Sequence, residues 1–523
     1  MEESQNSTVR ALLVDKLAET AASTFGFSSF RPYQLEAIIE LSKGKDVMLV
    51  LPTSAGKSLV YSLPPVALVE TGTVSIVVSP LLSLARNQIR ALDENFGIDA
   101  RLWASETSLA QQKAIASDLV AEPGSCSVQL LYTTPESLAS NRLLKDALSI
   151  SSDMNKLFCI AVDEAHVVDP WGHDFRPAYL KLHESLKALN NVPVLACTAT
   201  ANQESQERIR SLLCMNANAA VFVGGFDRPE IQLNVVYKEL LDQSQRDPTA
   251  HYMASFIQER NSSGIIYCRN RTTCDRLKNV LMSYGVSSVL SYHAGLSTTE
   301  RDHAQEEWED GEIKCLVCTI AFGLGINKSD VRWVLHYEPP QNMSEFYQQI
   351  GRAGRDGELA HCILFASHQD IETMMRKDHR EDLGEMKEYL YSGSCRRMLI
   401  TSHFGKGTAC PQTGGDSRCD ICRKEDTLSL ALEAIQHGVS TNGQNMPRTN
   451  DPSERELSFR PSVLQLLAKD QSLTLGQSSA STSHSKKPIM SGFIKPQKRY
   501  VIIQVKVKYQ HVMLVAIFLT KIL

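Results

Sequence analysis

Short apolar runs alternate with longer stretches of helical periodicity through about the first 370 of the chain's 523 residues. The runs fall at 46–51, 74–79, 128–133, 157–162 and 192–197, and again at 263–268, 287–292, 313–319, 333–337 and 362–365. They are nearly continuous in apolar character, the pattern of strands covered by helices on both faces of a parallel sheet. Two such series in succession predict two doubly wound α/β domains, joined near the Gly-Gly-Phe-Asp-Arg-Pro stretch at 224–229. Beyond about residue 370 the pattern turns helical, and a cysteine-rich stretch occupies 395–422. From about 438 to 485 Ser, Thr, Asn, Gln and Gly dominate, which predicts a largely disordered tail. The final stretch, 500–523, becomes β-branched and apolar again, and nothing in the sequence explains it. The predicted layout is 1–223, 224–372, 373–430 and a tail at 431–523.

Composition narrows the class. Hydrophobic residues make up 43% and charged residues 22%, so a chain of this length can bury several cores without covalent staples. Wholesale disorder, collagen-like repeats and a small disulfide scaffold are excluded. The net charge of -5 divides into -11 over residues 1–423 and +6 over 424–523, so any basic track on the body must be local. The 13 cysteines are odd in number, and Cys159, Cys197 and Cys268 sit singly in apolar runs, as buried thiols of a reducing compartment do. The polar start does not read as a signal peptide, and the apolar stretch 512–519 is too short to span a bilayer. A soluble intracellular protein without membrane contact is expected.

The first run leads into Pro52-Thr53-Ser54-Ala55-Gly56-Lys57-Ser58 and then a helical pattern. Strand, loop and helix in that order make a phosphate-binding loop, with backbone N–H groups and a helix N-terminus facing the anion. There Thr53 and Gly56 belong to the cradle, Lys57 reaches the β- and γ-phosphates, and the Ser58 hydroxyl ligates Mg²⁺. The usual pattern opens with Gly where this chain has Leu51, and an ordinary strand-to-helix turn is the alternative. The run 157–162 ends in Asp163-Glu164-Ala165-His166. A carboxylate at a neighbouring strand end can hold Mg²⁺ through water, and an adjacent Glu can polarise the attacking water. Two acids buried there are costly unless a cation shares the site. The plainer alternative is that they cap the next helix.

These residues resemble a superfamily 2 helicase, and the remaining motifs resemble the RecQ family of DNA helicases over roughly residues 25–422, in family order. Phe27-Ser28-Ser29-Phe30-Arg31-Pro32-Tyr33-Gln34 is similar to the family's adenine-recognition motif. That implies nucleotide contacts from Arg31 and Gln34, the Gln amide reading the adenine edge. Stretches 79–84 and 133–136 resemble DNA-strand contacts. Thr198-Ala199-Thr200 resembles the motif that couples ATP state to DNA grip, and the resemblance assigns His166 and Gln348 to the same coupling. Trp171-Gly172-His173-Asp174-Phe175-Arg176-Pro177 resembles the family's aromatic-rich loop, with Trp171, Phe175 and Arg176 suited to stack on unpaired bases. A Trp–Phe pair is also ordinary core material. In the second series, 318–337, including 321–328, resembles motif V and Gln348-Gln349-Ile350-Gly351-Arg352-Ala353-Gly354-Arg355 resembles motif VI. Arg352 and Arg355, three apart, are expected on one helical face, pointing across the interdomain cleft at the γ-phosphate, with Arg355 as the finger. Two surface arginines are the alternative. The run Tyr292-His293-Ala294-Gly295-Leu296 fits the family with a less obvious role. The family usually has glycines at Ser54 and Ala55; a positive φ at either would make a side chain costly.

Cys395, Cys410, Cys419 and Cys422 are spaced C-x14-C-x8-C-x2-C, which suits a tetrahedral Zn²⁺ site. Redox use of the last pair lacks a thioredoxin-like setting. Cys395-Arg396-Arg397 and Phe404-Gly405 are similar to the family's zinc subdomain, and nearby His403 is expected at a cap or on the surface. Cys315 and Cys318 lie in an apolar strand and are expected as buried thiols on opposite faces.

The resemblance implies an α/β protein with two tandem RecA-like doubly wound parallel-sheet domains, a small helical zinc-binding subdomain and a largely disordered tail. It implies an ATP-dependent 3′ to 5′ DNA helicase of repair, recombination or replication. ATP, Mg²⁺ and Zn²⁺ are the implied cofactors, with single-stranded and forked or partially duplex DNA as substrate. The expected location is the nucleus if the source is eukaryotic, the cytoplasm otherwise. No winged-helix or further module is recognisable after residue 422, so the chain resembles the short, RecQ5-like group. That opens other readings: a DNA-stimulated ATPase or strand-annealing protein with weak unwinding, or a DNA-binding scaffold with little turnover. An RNA helicase is a further reading, opposed by the aromatic loop and the cysteine cluster. The basic tail residues Lys486, Lys487, Lys495, Lys498 and Arg499 read as solvated charge, a DNA contact or a weak nuclear signal.

Overall fold

The continuous apolar runs become two sheets in which every strand pair is parallel. A computed structural model describes residues 2–435 apart from 54, 123, 169–176, 190, 324–327, 378–381, 406, 412–417, 425–427 and 433–434. Ser54, the aromatic loop with Trp171, Phe175 and Arg176, the centre of 321–328 and the expected disordered tail from 436 therefore lie outside the described residues.

The first sheet comprises β1 (Val47–Val50), β2 (Val74–Val78), β3 (Ala100–Trp103), β4 (Leu130–Thr133), β5 (Leu157–Val162), β6 (Val194–Thr198) and β7 (Ala220–Val223). Their order is β3-β4-β2-β5-β6-β1-β7. The second comprises β8 (Ile231–Tyr237), β9 (Gly264–Tyr267), β10 (Val289–Tyr292), β11 (Cys315–Cys318), β12 (Trp333–His336) and β13 (Ala360–Ala366), ordered β10-β11-β9-β12-β13-β8. Ten strands coincide with predicted runs to within about two residues. The three without a predicted counterpart, β3, β7 and β8, all lie at sheet edges. β3 and β7 are mostly half-covered and β8 alternates buried with half-buried positions, so none shows the continuous apolar run of an interior strand.

The core of each lobe is the sheet's two faces. Leu17, Ile38 and Tyr61 from flanking helices close over Val47, Leu49 and Val77 in the first, with every one of these side chains fully buried. In the second, Trp333 lies directly over Gly264 of the neighbouring strand. A Cβ on Gly264 would come within 1.9 Å of the indole, so only glycine admits this packing. Cys315 and Cys318 are fully buried.

Helices His368–Lys377, Asp382–Tyr391 and Arg396–His403 follow β13. The cysteine segment docks on edge strand β8. Asp420 N–H donates to Leu233 O at 3.1 Å, and Val235 N–H donates to the Asp420 carboxylate at 3.2 Å. Among the described residues, no helix is long and apolar enough to cross a membrane.

The doubly wound topology decides where chemistry can sit. Loops leaving the carboxyl ends of β1, β2, β5 and β6 gather along one edge of the first sheet, where open α/β sheets bind ligands. Those loops carry Lys57, Ser79, Asp163 and Thr200.

Candidate active site

Leu51 to Ser58 form the loop between β1 and helix Leu59–Ala67. Gly56 has φ of 77° and is its described residue in the left-handed region. Ala55 is not in that region, so its side chain carries no backbone strain. Lys57 Nζ donates to Leu51 O at 3.1 Å and Pro52 O at 3.3 Å, curled over the loop that a phosphate would fill. Ser58 opens the helix with an exposed side chain, and Thr53 is half-buried.

Gln34 is buried, and both ends of its amide are occupied by protein. Oε1 accepts from Arg31 N–H at 2.8 Å, while Nε2 donates to Gly56 O at 2.9 Å and contacts Ala55 O at 3.4 Å. A Cβ on Gly56 would lie 2.5 Å from that nitrogen. The amide expected at an adenine edge thus also fixes the shape of the phosphate loop. Arg31 itself is exposed.

Asp163 and Glu164 leave β5 beside this loop. Asp163 is 6% exposed; its carboxylate accepts from Glu164 N–H at 3.0 Å, from Gln88 Nε2 at 3.2 Å and from the Tyr61 hydroxyl at 3.4 Å. Burial first, and the Glu164 carboxylate second, push its pKa up, while Lys57 pulls it down. Glu164 has φ of 49°, and its buried Oε2 has no hydrogen-bond partner among the described residues. His166 Nδ1 lies 3.4 Å from that oxygen and 3.1 Å from Thr198 Oγ1. Thr198 Oγ1 also accepts from Thr200 N–H at 3.2 Å, and both threonines are buried. The acid pair is therefore wired through His166 to the end of β6. A pair of acids crowded in a dry site fits a divalent cation, which would offset the charge that burial disfavours.

The second lobe supplies the opposite charge. Helix Met343–Ile350 stops at Ile350, and Arg352 and Arg355 lie on the turn that follows. The expectation of one helical face is corrected: Gly354 takes φ of 63°, which breaks the helical path between them. Arg352 is 5% exposed. Arg355 is pushed down to about 10, by burial first and then by Arg352 and Arg228, while Tyr267 and Glu164 favour its charged form. Glu164 belongs to the first lobe, so its charge and that of Arg355 act on one another between the lobes. The turn also meets the phosphate loop: a Cβ on Gly351 would lie 3.4 Å from Thr53 Oγ1. Gln348 is half-buried, and its neighbour Gln349 is the buried one, accepting from His336 at 2.8 Å.

Cys395, Cys410, Cys419 and Cys422 converge so that their sulfurs lie within 4.8 Å of one another. Cys410 N–H donates to Cys395 Sγ and Cys419 N–H to Cys410 Sγ, each at 3.3 Å. Thiol hydrogen bonds from Cys410 and Cys419 hold Cys395 far below the usual thiol range, while Cys419 is pushed far above it. Four sulfurs at this spacing fit a tetrahedral thiophilic cation, which lets all four ionise. His403 is half-buried in the last turn of helix Arg396–His403, and its ring lies 2.6 Å from Glu385 and 2.8 Å from Ser344.

Comparison with known sequences agrees with this geometry. Residues 31–209 match the DEAD/DEAH box helicase family, 249–357 the helicase conserved C-terminal domain and 361–423 the RecQ zinc-binding family. The chain is 35% identical to the Caenorhabditis briggsae protein named "Putative ATP-dependent DNA helicase Q1", over 87% of this chain and 73% of that one. The chain belongs to the RecQ family of superfamily 2 helicases. It is also 35% identical to the ATP-dependent DNA helicase RecQ of Haemophilus influenzae, covering 80% of this chain and 65% of that one. For the ATP-dependent DNA helicase Q5 of Rattus norvegicus the identity is 34%, over 81% and 45%. The chain therefore spans about half to two thirds of the length of several curated RecQ-family relatives. In fold it resembles the Mycobacterium smegmatis helicase Lhr, with a TM-score of 0.52 and 22% identity over 70% of this chain and 50% of that one.

Several residues of this RecQ-family site carry no motif signal of their own. Tyr61 and Gln88, which hold Asp163, sit on ordinary helical positions. Asp420 is another: it forms a buried ion pair, 3.1 Å apart, with Arg396 of the Cys395-Arg396-Arg397 motif. Arg228 lies in the stretch read only as a joint; an arginine between Phe226 and Pro229 was its one visible sign.

Proposed function

We propose that this chain is an ATP-dependent DNA helicase of RecQ type that couples ATP hydrolysis to 3′ to 5′ movement on single-stranded DNA and to unwinding of forked or partially duplex DNA. The observation that carries the reading is that the turn bearing Arg352 and Arg355 packs on the phosphate loop, where a Cβ on Gly351 would lie 3.4 Å from Thr53 Oγ1, while Glu164 of the first lobe favours the charged form of Arg355. A cleft with a phosphate loop and acids on one wall and arginines on the other is suited to phosphoryl transfer driven by domain closure. In this reading Arg31 and Gln34 hold the base, and Thr53, Gly56 and Lys57 the phosphates. Ser58 and Asp163 would hold Mg²⁺, which neutralises charge on the phosphates when bound. Glu164 orients and polarises the attacking water. Arg352 and Arg355 stabilise the charge spreading onto the transferred group. His166, Thr198, Thr200 and Gln348 relay the state of the cleft to DNA, with Trp171, Phe175 and Arg176 as the stacking surface. Cys395, Cys410, Cys419 and Cys422 hold a structural Zn²⁺. The assigned units are 1–223 and 224–372 for the two lobes, 373–430 for the zinc subdomain and 431–523 for the tail. Repair, recombination or replication of DNA is the assigned setting, in the nucleus of a eukaryotic source.

The test is steady-state ATP hydrolysis with and without single-stranded DNA, beside a Lys57→Ala control. Hydrolysis that DNA stimulates and the control abolishes is expected. DNA binding without hydrolysis would overturn the motor reading, and stimulation by RNA in preference to DNA would overturn the substrate.

A further inference from the structure

We propose that Arg228 is a positioning residue for the arginine pair, holding in place the turn that carries Arg352 and Arg355; this rests on the reading of that pair as the cleft's γ-phosphate arginines. Arg228 is 8% exposed and lies between the two sheets in sequence. Its Nη1 donates to Gly351 O at 3.2 Å, and its Nη2 to Ala353 O at 2.8 Å and Gly354 O at 3.4 Å. These carbonyls flank Arg352 and immediately precede Arg355. A helix end leaves its last carbonyls without intrahelical partners. Here one planar guanidinium serves three acceptors of the turn, a geometry that a lysine's single ammonium cannot reproduce.

The guanidinium is itself held. Its Nε pairs with Glu230, and that side chain packs under the turn, since a Cβ on Gly354 would lie 3.0 Å from Glu230 Cγ. From the other side, Arg397 Nη1 donates to Asp227 Oδ1 and Arg228 O, each at 2.6 Å, and Nη2 donates to Ile231 O at 2.9 Å. Phe226 stacks on Phe404 at 4.3 Å and meets Tyr347 edge-on at 5.8 Å, on the helix that precedes the turn. Arg397 and Phe404 belong to helix Arg396–His403 and its cap, between the first and second cysteines of the cluster. The joint between the lobes, the arginine turn and the cysteine segment thus form one packed bracket. Its effect is to fix where Arg355 enters the cleft, because misplacing a reacting group by about 1 Å costs on the order of a hundredfold in rate.

The experiment compares full-length wild type with Arg228→Gln, Arg228→Lys, Glu230→Gln and Arg355→Ala. It measures DNA-stimulated kcat and KM, the melting temperature, and affinity for a non-hydrolysable ATP analogue and for ADP–aluminium fluoride. Arg228→Gln is expected to lower kcat by about ten- to a hundredfold with KM within about twofold. It should weaken ADP–aluminium fluoride in parallel and leave the ground-state analogue little changed, while the melting temperature falls with the lost buried contacts. Arg228→Lys should recover part of the loss, and Glu230→Gln should show a smaller loss of the same kind. Arg228→Gln with wild-type kcat, while Arg355→Ala is inactive, overturns this proposal alone. Equal weakening of both analogues also overturns it, since that is a purely structural role. Wild-type turnover in Arg355→Ala overturns the underlying reading of the cleft.

Discussion

The two lobes share an all-parallel, doubly wound plan but carry opposite charges at their facing edges. The first presents Asp163 and Glu164, carboxylates crowded in a dry site where burial pushes Asp163 up. The second presents Arg352 and Arg355, where burial and neighbouring guanidinia push Arg355 down to about 10. Each lobe alone holds charge that its own surroundings disfavour. In the proposed reading a nucleotide with its divalent cation would offset both, the cation facing the acids and the phosphates facing the arginines, so that binding would favour closure and loss of the γ-phosphate would favour opening. They also differ in support. Asp163 is held by Tyr61 and Gln88 from within its own lobe, while the arginine turn leans on the interlobe joint and the cysteine segment.

That dependence makes zinc removal the severest expected perturbation. Cys419→Ser, or prolonged chelation, should strip the metal and unfold residues around 395–423, a loss on the order of 10 kcal/mol for a structural site. Metal analysis and thermal melting check this; a chain that melts unchanged without bound zinc would leave the second lobe as self-sufficient as the first.

Next is catalysis. Lys57→Ala and Arg355→Ala should each lower DNA-stimulated kcat by about a thousandfold or more. The double variant should be little worse than either, because groups acting on one transition state are not additive. Additive losses in single-turnover kinetics would mean that the two groups contribute independently and do not act as a unit.

A smaller contrast concerns acid. Fully buried His336 is pushed down to about 3 by burial, against an ordinary value of 6.5. Below 6.5 the unfolded chain binds a proton that the native chain refuses, so this stabilisation is complete above 6.5 and lost as pH falls toward 3. By pH 4.5 the loss reaches about 3 kcal/mol. Asp163 has the opposite sign: its native pKa is raised, so its contribution falls as pH rises through the window above 3.8. Peptide-resolved hydrogen exchange from pH 7 to 5 should show the second lobe loosening before the first, with His336→Gln flattening that trend.

The smallest effect is Gly56→Ala. A left-handed alanine whose Cβ meets Gln34 costs about 1–2 kcal/mol, and KM for ATP should rise about tenfold with kcat nearly kept.

Much of the site was legible in the chain because its parts are short and contiguous. Pro52 to Ser58 and Asp163 to His166 each announce their chemistry through neighbours within a few residues, and the cysteines announce theirs within the single stretch 395–422. Interior strands were legible for a similar reason, since a strand covered on both faces must be apolar at every position. Edge strands β3, β7 and β8 were not, because half-coverage removes that requirement. The helical reading of Arg352 and Arg355 failed on one residue, Gly354, whose positive φ redirects the backbone.

What the sequence by itself determined is the set of reactive groups and the two-sheet plan on which they ride. What only the tertiary structure decided is which groups share a field or a hydrogen bond. Glu164 and Arg355 are 191 residues apart, Gln34 spends its amide on Gly56, and Arg228 reaches carbonyls more than 120 residues away. Such pairings have no sequence signature, because an arginine that clamps three buried carbonyls is spelled the same way as one that faces water. Only packing, by excluding water and fixing distance, distinguishes them.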